Sequence, residues 1–379
     1  MKTHMQQEFT ALSDFGEYVS DPRFQSIFLV VDRAACEAAG LFPKLVPLLN
    51  GRRVVEFDQF IENPRLEHIL LGVDAFRRAE ADLIIAIGGG TAIDVGKLIC
   101  CFANQEAEPE SIISDSTLIS SGSGTPLAAI PTTAGSGSEA THFAVVYVDD
   151  VKFSVAHESI LPNATVVDPT LTYSMPPRLT AVSGLDVLCQ GIESMWSVNS
   201  TGESYEYGAE ALELAARNLH AAVRDPTPNA RAAMSRAANL AGRAINISKT
   251  TAPHAVSYAI TMNFGVPHGH AAALTLAPFL IFNRQVTPSD VTDPRGASHV
   301  KNVLDHVLKI LGCSTEQEAQ GTIQALMESV GCKTRLSEVG ATSDADRRLI
   351  AQSVNSARLS NNPRAITERD IRGVLESIR

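Results

Sequence analysis

The sequence is short of the features that define several protein classes. Lys and Arg supply only 31 of 379 residues against 42 Asp and Glu, a formal net charge of −11. Nucleic-acid binders need clustered cations against phosphate, and no such cluster occurs, so that class is excluded. No apolar run reaches the roughly 20 residues of a membrane span. The opening MKTHMQQEFT has no apolar core of the signal-peptide kind, and the expectation is a cytoplasmic protein without a membrane partner. The six cysteines include no CxxC; Cys100 and Cys101 are adjacent and the other four are scattered. Free thiols in a reducing compartment are the simpler account. Internal repeats, low-complexity tracts and the GxGxxG fingerprint are all missing, and Ser120 to Pro126 reads as a surface loop.

What is present is strand–helix alternation. Ser26 to Val31, Val54 to Phe57, Leu83 to Gly90, Leu127 to Thr133 and Ala144 to Val148 read as short buried strands, several with helical patterns between them. That alternation predicts an open, mainly parallel sheet with helices on its faces. Asp168-Pro169 and Pro176-Pro177 are boundary signals. Beyond them the chain turns Ala- and Leu-rich with helical periodicity, as in Ala209 to Val223 and Ala230 to Ile247. The expected organisation is an α/β domain over 1–175 and an all-α domain over 176–379.

Gly88, Gly89, Gly90 and Thr91 lie between a buried strand and a helix. Glycines let backbone N–H groups approach a pyrophosphate, and a helix N-terminus favours its charge. A plain tight turn accounts for the motif equally well. A second loop, Pro131 to Glu139, gathers hydroxyls and glycines; Thr132, Thr133 and Ser138 are candidate donors to a dinucleotide. The same stretch also reads as a helix start with Ser136 and Glu139 as a capping box. Asp32 ends the first strand, where a carboxylate suits a ribose with a free 2′-hydroxyl and so favours NAD over NADP. A helix N-cap is the alternative, and Arg33 beside it keeps the cofactor choice open.

Asp186 and Gln190 are spaced i, i+4 on one helix face, and His254 and His268 lie in later helical segments. Such a set can close on Fe²⁺, Zn²⁺ or Mn²⁺. By spacing alone, satisfied core histidines explain the pattern as well.

Together GGGTAIDVGK, PTTAGSGSE, GLDVLCQGIES and the His254 and His268 blocks resemble the iron-containing (group III) alcohol dehydrogenases, in the family's order and across most of the chain. The resemblance implies the dehydroquinate-synthase-like fold, with an N-terminal NAD(P)-binding domain, a helical metal domain, an active site in the cleft between them, and a homodimer. It implies pyrophosphate contacts at Gly88 to Thr91, Asp94 near the nicotinamide, Thr132, Thr133 and Ser138 in the second cofactor loop, and Lys152 toward the cofactor. It assigns Asp186, His254 and His268 as metal ligands. Gln190 departs from the family's usual histidine, and Tyr258 stands where a histidine often follows the first ligand histidine.

Several segments, among them KFSVAHESILP and RLSNNPR, resemble the phosphonoacetaldehyde reductase (2-hydroxyethylphosphonate dehydrogenase) branch. That implies a small aldehyde with an anionic tail, met by Lys249, Arg358 or Arg364, each of which also reads as solvated or salt-bridged surface. The expected chemistry is metal-assisted hydride transfer from NAD(P)H, with His268 as ligand and Tyr258, His270, a ribose hydroxyl or water as proton source. The alternatives are related dehydrogenases (of sulfoacetaldehyde, lactaldehyde or short-chain alcohols), glycerol dehydrogenase-like or maleylacetate reductase-like enzymes, a dehydroquinate synthase-like lyase, or a nucleotide binder without catalysis.

Overall fold

The computed structural model describes residues 6–120, 124–149 and 151–379. The first five residues of the N-terminal segment and residues 121–123 of the Ser120 to Pro126 loop lie outside the described residues. The chain divides into two compact units, Met1–Ser174 and Met175–Arg379.

The first unit is built on a six-stranded parallel sheet. Its strands are β1 (Gln7–Phe9), β2 (Ser26–Val31), β3 (Arg53–Phe57), β4 (Leu83–Gly88), β5 (Leu127–Pro131) and β8 (Ala164–Val166), in the spatial order β1-β8-β5-β4-β2-β3. Every residue of β2, β4 and β5 is buried, as expected for strands covered on both faces. Alternation assigns the two faces: Phe28, Val30, Ile84 and Ala86 enter one apolar layer, and Ile27, Leu29, Ile85 and Ile87 enter the other. Phe143–Val148 (β6) is not part of this sheet. It pairs antiparallel with Val151–Ala156 (β7) in a separate ribbon, which corrects the expectation drawn from AVVYV. A short apolar run does not reveal its partner, and the alternating VKFSVA strand has too weak a signal on its own.

The second unit is helical among the described residues, apart from one isolated bridge between Val291 and Arg364. Its centre is the helix Pro177–Trp196, continuously buried from Gly184 to Trp196. A helix buried all round is normally apolar all round, yet this one carries Asp186, Gln190 and Glu193. Around it stand Gly202–Arg224, Pro228–Ser248, Ala252–Phe264 and His268–Arg284. Thr201 and Thr227 cap two of these by accepting from Ser204 and Ala230 backbone N–H groups. No helix among the described residues is long and apolar enough to cross a membrane.

Candidate active site

In the first unit, β2 and β4 are neighbours whose successors diverge: β3 lies to one side and β5 to the other. Such a switch point opens a crevice beyond the strand ends, where ligands of open α/β sheets bind. Three strand ends meet there. Asp32 N donates to Ile87 O and Thr132 N donates to Gly88 O, both at 2.9 Å. Gly88 has φ +148°, and a Cβ on it would meet Ala92 Cβ at 2.7 Å and Asp32 Cβ at 2.8 Å. Only glycine fits this turn. It feeds the helix Gly90–Ala103, whose N-cap, Gly89, makes no side-chain capping bond. First-turn N–H groups are thereby presented to an anion.

Asp32 caps the helix Arg33–Ala38, its Oδ1 accepting from Ala35 N at 3.0 Å. Arg33 is paired with Glu56, and with Asp58 at 3.4 Å. In the second loop the Ser136–Glu139 capping box does not form. The helix there is a single 3-10 turn, Ser138–Ala140, capped by Gly137 at φ +62°. Thr132 is buried, and its Oγ1 has no hydrogen-bond partner among the described residues.

The side chains of Asp94 and Ser138 are joined to each other. Ser138 Oγ donates to Asp94 Oδ1, and Asp94 Oδ2 accepts from Val145 N at 3.0 Å. Lys97 completes the group. Its ammonium donates to Ser138 O, to Ser138 Oγ at 3.1 Å, and to Thr141 Oγ1 and Phe143 O at 2.9 Å. Burial raises the Asp94 pKa, and it lowers that of Lys97 to about 8 against the pull of Asp94 and Glu139. Asp94, Ser138 and Lys97 thus form an internal brace that ties the glycine-loop helix to the second loop. Lys152 lies on β7 opposite Tyr147.

In the second unit, Asp186, His254 and His268 converge, each offering a ligand atom within 4.8 Å of the others. Gly269 makes this approach feasible. A Cβ there would sit 2.1 Å from Val182 O and 2.8 Å from Asp186 Cβ, so the two helices meet backbone to backbone beside His268. His254 Nε2 lies 3.1 Å from Asp186 Oδ1, and its Nδ1 bonds Glu193 Oε1. Glu193 Oε2 also accepts from Thr251 N at 2.6 Å and Thr251 Oγ1 at 2.9 Å, and Trp196 Nε1 donates to that hydroxyl at 2.8 Å. A carboxylate behind a histidine fixes its tautomer and raises its basicity as a ligand. Burial lowers the His254 pKa, but Glu193 and Asp186 outweigh it and hold the ring well above its ordinary value. His268 Nδ1 lies 3.2 Å from Ser257 Oγ, which itself donates to His254 O at 2.8 Å.

Gln190 Nε2 donates to Asp186 Oδ2 at 3.1 Å, while its Oε1 is buried without a hydrogen-bond partner among the described residues. Turning the amide over exchanges those two atoms. The carbonyl oxygen then faces the carboxylate side, where a divalent cation satisfies both. Two imidazoles, one carboxylate and one amide oxygen fit such an ion.

Tyr258 stacks on His268 with ring centroids 5.2 Å apart. Arg358 Nη1 donates to Tyr258 Oη at 3.1 Å, with its guanidinium carbon 4.6 Å from the ring centroid. Lys249 ends the helix Pro228–Ser248 at φ +61°. Two other candidates stand apart from the cluster. His270 Nε2 bonds Lys333 O at 2.7 Å, since a residue two positions on projects roughly 200° round the helix from His268. Arg364 is held by Asp290 Oδ2 at 2.9 Å and Phe282 O at 2.7 Å. Sequence reasoning missed Glu193, although Asp186, Gln190 and Glu193 follow the i, i+4, i+7 spacing of one face. It also missed Lys97, whose signal was a lone cation before the apolar LICCF.

Comparison with known proteins bears on both units. Residues 3–169 match the profile of the iron-containing alcohol dehydrogenases, and residues 180–379 match that of the family's C-terminal region. The phosphonoacetaldehyde reductase of Streptomyces viridochromogenes is 37% identical over 301 residues, covering 76% of this chain and 74% of that one. Long-chain-alcohol dehydrogenase 1 of Geobacillus thermodenitrificans is 29% identical over 333 residues, 86% of this chain and 82% of its own. The crystal structure of sulfoacetaldehyde reductase from Bifidobacterium kashiwanohense in complex with NAD+ superposes with a TM-score of 0.86 at 25% identity, covering 98% of this chain and 96% of that one. With a glycine loop at the sheet's switch point and a histidine–carboxylate cluster gathered from three helices, the chain belongs to the iron-containing alcohol dehydrogenase family.

Proposed function

We propose that the protein reduces phosphonoacetaldehyde to 2-hydroxyethylphosphonate with NADH, within the NAD(P)-dependent alcohol and aldehyde chemistry of its family. The observation that carries this reading is the placement of Arg358 one aromatic ring from His268. It adds an anion-binding group beside the Asp186, His254 and His268 cluster. The 37% identical phosphonoacetaldehyde reductase supports the same substrate. Hydride passes from NADH to the carbonyl carbon and a proton to the oxygen, leaving NAD+ and a primary alcohol.

Asp186, His254, His268 and the Gln190 carbonyl are the residues that would hold the metal, Fe²⁺ with Zn²⁺ or Mn²⁺ as alternatives. When bound it supplies Lewis-acid polarisation of the carbonyl oxygen. Glu193 keeps the His254 ring oriented, and burial of Asp186 and His254 excludes water. Gly88 to Thr91 bind the pyrophosphate, while Thr132, Thr133 and Lys152 line the rest of the cofactor path. Asp32 at the end of β2 favours NADH. The pairing of Arg33 with Glu56 and Asp58 supports this, because that charge is then engaged away from a 2′-phosphate. Tyr258, stacked on His268, is the proton source of choice, since His270 bonds the Lys333 carbonyl. A homodimer in the cytoplasm completes the proposal.

The test is a panel of phosphonoacetaldehyde, sulfoacetaldehyde, lactaldehyde and propanal with NADH and NADPH, before and after metal removal. Phosphonoacetaldehyde with NADH should give the highest kcat/KM, and chelation should abolish turnover until metal is restored. Full activity after chelation, or a preference for propanal, refutes the reading. Failure of every aldehyde together with retained nucleotide binding would favour a binder without catalysis.

A further inference from the structure

We infer that Lys249 and Arg358 form a two-cation clamp on the head of the substrate, and that this clamp selects a dianion over a monoanion. The inference rests on the anionic-aldehyde reading above. Its starting point is the backbone of Lys249, which has φ +61° and ψ 174°. Side chains rarely adopt that region, and it belongs essentially to glycine. Lys249 N donates to Ile245 O at 2.9 Å to close the helix Pro228–Ser248. Glycine would close the same turn without strain. The strain is accounted for if the ammonium has a task at this spot. The side chain is half-buried, and burial lowers its pKa. A partly desolvated cation attracts an anion more strongly than a fully solvated one.

The second cation is tied to the first. Arg358 lies in the short helical segment Ser356–Asn361. Asn361 Nδ2 donates to Thr250 O at 3.1 Å, and Asn361 Oδ1 accepts from Asn199 Nδ2 at 2.9 Å. The segment carrying Arg358 is therefore pinned to the residue next to Lys249. Arg358 in turn lies over Tyr258, which stacks on His268. A guanidinium fork and an ammonium point charge are complementary partners for a three-oxygen head. A phosphoryl-type head carries about −1.5 to −2 charges near neutral pH, whereas a sulfonate carries one, so the second cation is what tells them apart.

The test compares kcat/KM for phosphonoacetaldehyde, sulfoacetaldehyde and propanal in the metal-loaded wild type, Lys249→Gly, Lys249→Gln and Arg358→Met, with Tm measured for each. Lys249→Gly should lower the phosphonoacetaldehyde-to-sulfoacetaldehyde ratio about 10-fold or more, through KM. It should also raise Tm by roughly 2–4 °C, because the strain is relieved. Lys249→Gln keeps the strain and should lose the same selectivity without gaining stability. Arg358→Met should lower the ratio of either anionic aldehyde to propanal. An unchanged ratio in both Lys249 variants overturns the clamp, as does a fall in Tm with equal losses on all three aldehydes. If the wild type itself prefers propanal, the substrate reading fails first and the clamp with it. If the wild type prefers the anions but the Lys249 variants keep its selectivity, only the clamp fails.

Discussion

Each unit buries a charged cluster, and the two are satisfied in opposite ways. In the first, the fully buried Lys97 ammonium meets two carbonyls and two hydroxyls, and Asp94 is bonded by Ser138 and Val145. Every strong donor there has an acceptor supplied by the fold. In the second, Asp186, Glu193 and Gln190 bring acceptors together with two imidazoles, and Gln190 Oε1 is buried without a hydrogen-bond partner among the described residues. A complete cluster is a brace, whereas one with surplus acceptors is a cation site.

Three experiments can break or sharpen that contrast. The largest effect is expected from Lys97→Met, which leaves buried acceptors without their cation. Breaking such a group costs about 3–5 kcal/mol, so the first unit should unfold at clearly lower denaturant. Little change in stability would show that Lys97 is no brace. Next comes Glu193→Gln, which weakens the support behind His254. Metal affinity should fall roughly 10–100-fold, read by competition with a chelator, while the far-UV spectrum is retained. Unaltered affinity would reduce Glu193 to a packing residue.

The smallest effect concerns pH. Lys97, lowered to about 8, loses its proton as pH rises through that value. The second loop then loses its charged anchor, and KM for NADH should climb a few-fold above pH 8. Lys97→Arg, always charged, should flatten that limb. Stability should move the other way over the same range. The unfolded chain keeps this proton to about 10.4, so between about 8 and 10.4 the unfolded state binds more protons and this titration favours folding as pH rises. A flat NADH profile across pH 8 in the wild type would sever the link between brace and cofactor loop.

The strands of the parallel sheet were readable because β2, β4 and β5 are short, apolar and bounded by turns. The β6/β7 ribbon was not, because pairing direction leaves little trace in one strand's composition. Asp186, His254 and His268 were recognisable as ligand types, and the structure brings them together. The motifs carrying Asp94 and Ser138 gave no sign that these two side chains bond to each other across 44 residues, or that Ser138 also accepts from Lys97 across 41.

By itself the sequence determined the two structural classes, the glycine turn and the family, since each rests on local spacing and residue type. Only the tertiary structure decided that Glu193 backs His254, that Gly269 lets two helices meet at Asp186, and that Arg358 lies over Tyr258. These pairs are 61, 83 and 100 residues apart in the case of Glu193–His254, Asp186–Gly269 and Tyr258–Arg358. Contacts at such separations are set by how helices pack, and no local pattern encodes them.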